Sequence, residues 1–150
     1  LLMEYPEAEG FAIDQSAEAA TTARQNLERL GLAQRSHVMV GNWADGLSGK
    51  FDLITTTPPY TAIDEWLAPE VPRHDPAAAL FAGRDGLSAY REILPGLATL
   101  LNKGGFVVLE VGVKQSALVV NLGSEAGLTH VTTRPDLNGI PRAVVLARQV

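Results

Sequence analysis

The chain has 150 residues, about one domain's worth, and its 46% hydrophobic content with slightly positive mean hydropathy suits a packed core and excludes a disordered tail. It has no cysteine, which excludes disulfides and thiolate metal sites, and His37, His74 and His130 are too scattered to suggest a metal cluster. The formal net charge of -5 argues against broad capture of nucleic acid while leaving room for a local basic patch, and no apolar run reaches the roughly 18 residues that cross a bilayer. No basic segment followed by a cleavable apolar stretch opens the chain, so a soluble protein of the cytoplasm is expected.

Leu1-Leu2-Met3-Glu4-Tyr5-Pro6 reads as the end of a helix already under way, which suggests an N-terminal truncation. Gly10 to Asp14 is an apolar run closed by an acid, and Ser16 opens a segment with Ala20, Ala23, Leu27 and Leu30 at helical spacing. Gly31 supplies the stop. His37 to Val40 is the next strand, followed by the loop Gly41 to Gly46, and Phe51 to Thr56 is a third strand that runs into Thr57-Pro58-Pro59-Tyr60. Residues 61–85 lack a period and read as a long, substrate-facing loop with one helical turn at most.

Leu87, Tyr90, Leu94, Leu97 and Leu101 mark a helix that Pro95-Gly96 should kink or split. Gly105 to Val111 is the most strand-like run, followed by a helix from about Gln115 to Ala126 and two strands near 128–134 and 142–148. Alternating strands and helices predict a Rossmann-like, doubly wound α/β domain. Its sheet should be mainly parallel, with the last two strands forming an antiparallel hairpin. In such sheets ligands sit beyond the carboxyl ends of the strands, where Asp14, Asn42-Trp43 and Thr57 to Tyr60 should all converge.

Asp14 stands where an acid can accept hydrogen bonds from both hydroxyls of a nucleoside ribose; the alternative is an acid stabilising the first turn of the next helix. Asn42 can hydrogen-bond an adenine edge while Trp43 covers its face, or Trp43 can simply fill the core. At Thr57 to Tyr60 two prolines fix the backbone and leave carbonyls without a neighbouring strand partner. An amide or exocyclic amine is a poor nucleophile because its lone pair is delocalised. A transferase must therefore hold both N–H groups and aim the lone pair at the methyl carbon. A proline carbonyl can take one N–H, the preceding side chain the other, and Tyr60 can stack on the planar group. The plainer reading is a Pro-Pro turn that only ends a strand. His74 and Asp75 receive no catalytic role, and Glu110 either approaches the site or bonds structurally.

With these residues in place the chain resembles the release factor glutamine methyltransferases, the HemK or PrmC family of class I methyltransferases, over nearly all its length. The resemblance rests on Ile13-Asp14, Gly41-Asn42-Trp43, Pro58-Pro59-Tyr60, Asp75-Pro76, Ala79-Leu80-Phe81-Ala82-Gly83, and Asp85-Gly86-Leu87 with Tyr90. Leu109-Glu110-Val111-Gly112 and Asp136-Leu137 with Gly139 and Arg142 also fit. The turn alone is shared with nucleic-acid and ribosomal methyltransferases; the stretch from Asp75 to Tyr90 tips the choice.

The resemblance implies S-adenosylmethionine as cofactor, with Asp14 at its ribose and Asn42 and Trp43 at its adenine. It implies that Thr57, Pro58 and Tyr60 are catalytic, that Thr57 also touches the cofactor, and that Thr57 to Tyr60 hold the substrate glutamine. It implies a release factor as protein partner, a monomer, and no direct hold on nucleic acid or membrane. Two departures stand out. The family has Asn at Thr57, and a shorter hydroxyl in its place implies roughly 10²- to 10³-fold slower transfer with cofactor binding less affected. The family's first strand, its glycine-rich loop and its helical docking domain have no counterpart, so residues 1–150 read as part of a catalytic domain, unstable or cofactor-free by themselves. Methylation of an exocyclic amine in RNA or DNA, and a non-catalytic relative, are the alternatives.

Overall fold

The computed structural model describes residues 1–64 and 77–149. They form two compact units, Leu1–Leu47 and Ser48–Val150, each with its own sheet. The first unit is a βαβ element: β1 (Gly10–Asp14) lies parallel to β2 (Ser36–Val40), with Gly10 opposite Ser36 and Asp14 opposite Val40. The crossover is α1 (Ala17–Arg29), whose first turn is fixed by Ser16, the hydroxyl accepting the Ala19 N–H at 3.2 Å. Gly31, at φ +70, ends it in the left-handed region that a Cβ disfavours. A short 3-10 turn over Ala33–Arg35 leads into β2. The Arg35 guanidinium ties the preceding segment down by donating to the carbonyls of Leu2, Tyr5 and Ala8. Only Ala20 and Leu32 are buried apolar side chains in this unit.

The second unit carries a four-stranded sheet in the order β3-β4-β6-β5, where β3 is Phe51–Thr56, β4 Leu101–Glu110, β5 Leu128–Pro135 and β6 Pro141–Arg148. β3 and β4 are parallel, whereas β6 runs antiparallel to both β4 and β5, so the hairpin expected at the end of the chain is present. β3 stands at the edge of this sheet. Among the described residues the unit also carries the helices α2 (Ala77–Leu80), α3 (Ser88–Leu100) and α4 (Ser116–Glu125). Tyr90, Leu94, Leu101, Val107, Leu109, Val111, Val119, Val144 and Leu146 are essentially solvent-free and form its core. Burying each such aliphatic side chain stabilises the fold by about 1.5–3 kcal/mol.

One expectation is narrowed and another corrected. Pro95 does not split its helix, because α3 runs unbroken from Ser88 to Leu100. The burial of Ile93, Leu94 and Leu97 on its apolar face outweighs the one donor that proline lacks. β4 begins at Leu101 rather than Gly105. Phe51 pairs with Leu101 and Leu53 with Phe106, so the ladder steps over an irregular stretch at Asn102 to Gly105 that reads as a turn in sequence.

Candidate functional site

Each sequence-predicted group sits at the carboxyl end of a strand in its own unit. In the first unit the parallel register brings Asp14 beside the loop after β2, with the Gly41 N–H donating to the Asp14 carbonyl at 3.1 Å. Asp14, Asn42 and Trp43 therefore share one end of one sheet. Asp14 is exposed, and its Oδ1 accepts the Ser16 N–H at 2.8 Å. The acid thus does steady the entry to α1, as the plainer reading holds, yet a carboxylate has capacity for further donors. Asn42 is exposed and Trp43 is part-buried, with some of its surface open to solvent. Trp43 has φ +49, a left-handed conformation that is unfavourable for a bulky residue and that gathers at functional sites.

In the second unit β3 ends at Thr56 and the chain turns through Thr57 to Tyr60. Thr57 is exposed, Pro58 is buried, and Pro59 and Tyr60 are half-buried. Among the described residues the carbonyls of Pro58 and Pro59 accept no hydrogen bond. Thr57 also borders a cavity of about 380 Å³ with Thr55, Thr56, Val108, Glu110, Arg142 and Ala143. The Tyr60 hydroxyl donates to Glu110 Oε1 at 3.1 Å, so Glu110 both borders this cavity and holds the corner's tyrosine.

The segment after the corner is less irregular than its sequence suggests. Thr61 forms a parallel bridge with Phe81: the Thr61 N–H donates to the Leu80 carbonyl at 3.0 Å and the Ala82 N–H to the Thr61 carbonyl at 2.9 Å. The Ile63 N–H then donates to the Gly83 carbonyl. Ala79 to Gly83 thereby fixes the exit from the corner. His74 and Asp75-Pro76 lie outside the described residues.

Asp85 accepts the Leu87 N–H and forms a two-pronged ion pair with Arg91, at 3.1 and 2.6 Å, which sets the start of α3. The Arg91 guanidinium, then the Leu87 N–H, hold the Asp85 carboxyl down at about 2. The buried Tyr90 hydroxyl donates to the Glu110 carbonyl at 2.7 Å, and burial, with the nearby Tyr60 and Glu110, pushes that phenol well above its ordinary range, so it remains a donor. At the far side Asp136 Oδ1 accepts the N–H groups of Ile140 and Asn138, while its Oδ2 meets Arg142 Nε at 3.4 Å. These bonds, that from Ile140 foremost, lower its pKa. Arg142 also donates to the Val111 carbonyl at 3.3 Å, bracing the end of β4.

Sequence reasoning missed Gln115, which it used only to start a helix. The side-chain amide of Gln115 reaches Tyr60, Gly86 and Gly112 together. Among the described residues no three or more His, Asp or Glu side chains are grouped to hold a metal ion, and no helix is long and apolar enough to cross a membrane.

The fold is the Rossmann-like α/β fold seen in solved methyltransferases. The chain superposes on a methyltransferase from Pyrococcus furiosus with a TM-score of 0.72, at 18% identity, over 99% of this chain and 67% of that one. It also superposes on the O-methyltransferase NcsB1 of neocarzinostatin biosynthesis, solved with S-adenosylmethionine, with a TM-score of 0.67 at 20% identity, over 100% of this chain and 44% of that one. No protein-family model matches the chain. Over 148 residues, 97% of its length, it is 43% identical to the release factor glutamine methyltransferase of Caulobacter vibrioides and covers 51% of that protein. The chain is a homologue of the release factor glutamine methyltransferases, and it spans about half the length of the curated relatives it matches.

Proposed function

We propose that this protein methylates the side-chain nitrogen of a glutamine in a peptide chain release factor, using S-adenosylmethionine. The observation that carries this reading is the corner after β3, where two proline carbonyls accept no bond among the described residues, in a chain 43% identical to a release factor glutamine methyltransferase.

The cofactor would supply an electrophilic methyl group on a sulfonium. The residues at the end of β1 and β2 fit its adenosyl part: Asp14 retains acceptor capacity for the ribose hydroxyls, Asn42 can bond the adenine edge and Trp43 can cover its face. At the corner, the Pro58 carbonyl would accept one amide N–H and the Thr57 hydroxyl the other, while the Tyr60 ring would fix the tilt of the amide plane. The amide loses its proton to water after the new C–N bond forms, so no protein base is required. Catalysis then rests on orientation and desolvation. Thr57 reaches less far than the asparagine of the family, and slow turnover follows.

The same reading takes residues 1–150 as part of the catalytic domain of a monomeric cytoplasmic enzyme, with the first strand, glycine-rich loop and helical docking domain supplied from outside them. A specific residue favours a second reading: Thr57 would permit a relative that binds cofactor without transferring methyl. Isothermal titration of S-adenosylmethionine into the full-length protein, with those parts present, followed by a labelled-methyl assay on purified release factor, decides. Label on the release-factor glutamine is expected; cofactor binding with no label selects the second reading, and no binding at all removes both.

A further inference from the structure

We propose that Gln115 is a positioning residue that aims the Pro58-Pro59 corner, an inference that rests on reading this corner as the amide-holding site. Gln115 precedes the first turn of α4, a helix seated on the sheet by buried Val119 and by Gly123, where a Cβ would collide with Leu146. Its Oε1 accepts the Gly112 N–H at 3.0 Å, and its Nε2 donates to the Tyr60 carbonyl at 2.8 Å and the Gly86 carbonyl at 3.3 Å. The neighbours fix the orientation of the amide, since only oxygen can receive an N–H and only nitrogen can face two carbonyls.

One side chain thus joins three segments: the corner, the approach to α3 and the exit from β4. The junction is tight. A Cβ at Gly86 would lie inside the Tyr60 carbonyl and 2.6 Å from Gln115 Nε2, and one at Gly112 would lie 2.7 Å from Gln115 Oε1 and 3.0 Å from the Tyr60 ring. Lys114 adopts φ +66, so the turn that delivers Gln115 is itself conformationally costly.

The peptide unit between Tyr60 and Thr61 is gripped at both ends, its carbonyl by Gln115 and its N–H by the Leu80 carbonyl. The Tyr60 hydroxyl is held separately by Glu110. Upstream stand two prolines whose φ angles are fixed by their rings, which leaves fewer free torsions between their carbonyls and that anchored plane. Loosening the plane swings those carbonyls, and a displacement of about 1 Å costs on the order of 10²-fold in rate.

The experiment compares the intact protein with Gln115→Glu, which keeps the acceptor and removes both donors, and with Gly112→Ala, which displaces the amide without altering it. Labelled-methyl transfer should fall about 10- to 100-fold in kcat in both variants, with the KM for S-adenosylmethionine unchanged. Amide hydrogen exchange at Thr61 should quicken while Val119, inside α4, keeps its protection. Unchanged exchange at Thr61 in both variants overturns the proposal. So does quickened exchange with kcat unaltered. If the parent protein transfers no methyl to release factor, the functional reading fails by itself. Exchange at Thr61 then still decides whether Gln115 anchors the corner.

Discussion

The two strand-end sites differ in how firmly they are built. At the end of β1 and β2, Asp14 and Asn42 are exposed, Trp43 is half-buried, and only Ala20 and Leu32 form apolar core in that unit. At the end of β3, the corner is backed by Gln115, Glu110 and the Thr61 bridge, in the unit that holds most of the buried apolar side chains among the described residues. The contrast matches the chemistry proposed for each. A nucleoside brings its own rigid shape and many polar handles. A poorly nucleophilic amide must be aimed, and preorganisation has to come from the protein.

The sharpest way to break this comparison is Thr57→Asn. If the firm site lacks only reach, the substitution should raise labelled-methyl transfer by roughly 10²- to 10³-fold, with the S-adenosylmethionine Kd moving little. No gain would mean that the corner's rigidity serves something other than amide methylation. Next in size is Asp14→Asn, which should weaken cofactor binding by about 10- to 100-fold, the loss expected for hydrogen bonds to a charged group. Calorimetry that finds lower thermal stability and an unchanged Kd would reduce Asp14 to a helix-entry residue.

Gly86→Ala and Gly46→Ala sharpen the contrast at the level of stability. Both glycines have positive φ, but a Cβ at Gly46 meets nothing within 4 Å whereas one at Gly86 collides with the Tyr60 carbonyl. Gly46→Ala should cost about 1 kcal/mol from backbone strain alone, and Gly86→Ala about 1–3 kcal/mol more. Equal melting shifts in denaturant would show that the junction yields easily. The smallest effect concerns acid. Asp85 has its carboxyl lowered to about 2 from 3.8, so its contribution is complete above the unfolded value and disappears as pH falls from about 4 to about 2. The pair is solvent-exposed, so the contribution is slight. Asp85→Asn should flatten that limb of a melting-temperature profile, and an unaltered limb would mean that the ion pair adds nothing.

Much of this was legible in the residues. Strand ends β1 and β3 fell where apolar runs stop, although neither strand has a fully buried side chain, and the double proline stood out because proline cannot continue a ladder after a strand. Whether Pro95 splits its helix was open in the sequence because local propensity says nothing of the core that Ile93, Leu94 and Leu97 share. The bridge from Thr61 to Phe81 left no side-chain pattern, being made of backbone groups. Gln115 was hidden for another reason: its carbonyl partners lie 55 and 29 residues away, and a lone polar residue before a helix looks like a solvated start. Two of the segments that supported the resemblance, at Asp85-Gly86 and at Glu110 to Gly112, meet at Tyr60. Asp85-Gly86 sets α3 and crowds its carbonyl, and Glu110 and Gly112 hold its ring.

β3 has one last bearing on how the protein behaves in a tube. Its six residues, Phe-Asp-Leu-Ile-Thr-Thr, carry neither proline nor lysine, and they form a rim of their sheet with Leu53 well exposed. A strand at the rim of its sheet can template pairing by an extended segment, including the same segment of another molecule. Concentrated preparations of residues 1–150 are therefore prone to associate through this strand, and a single charged substitution at Leu53 should restrain them.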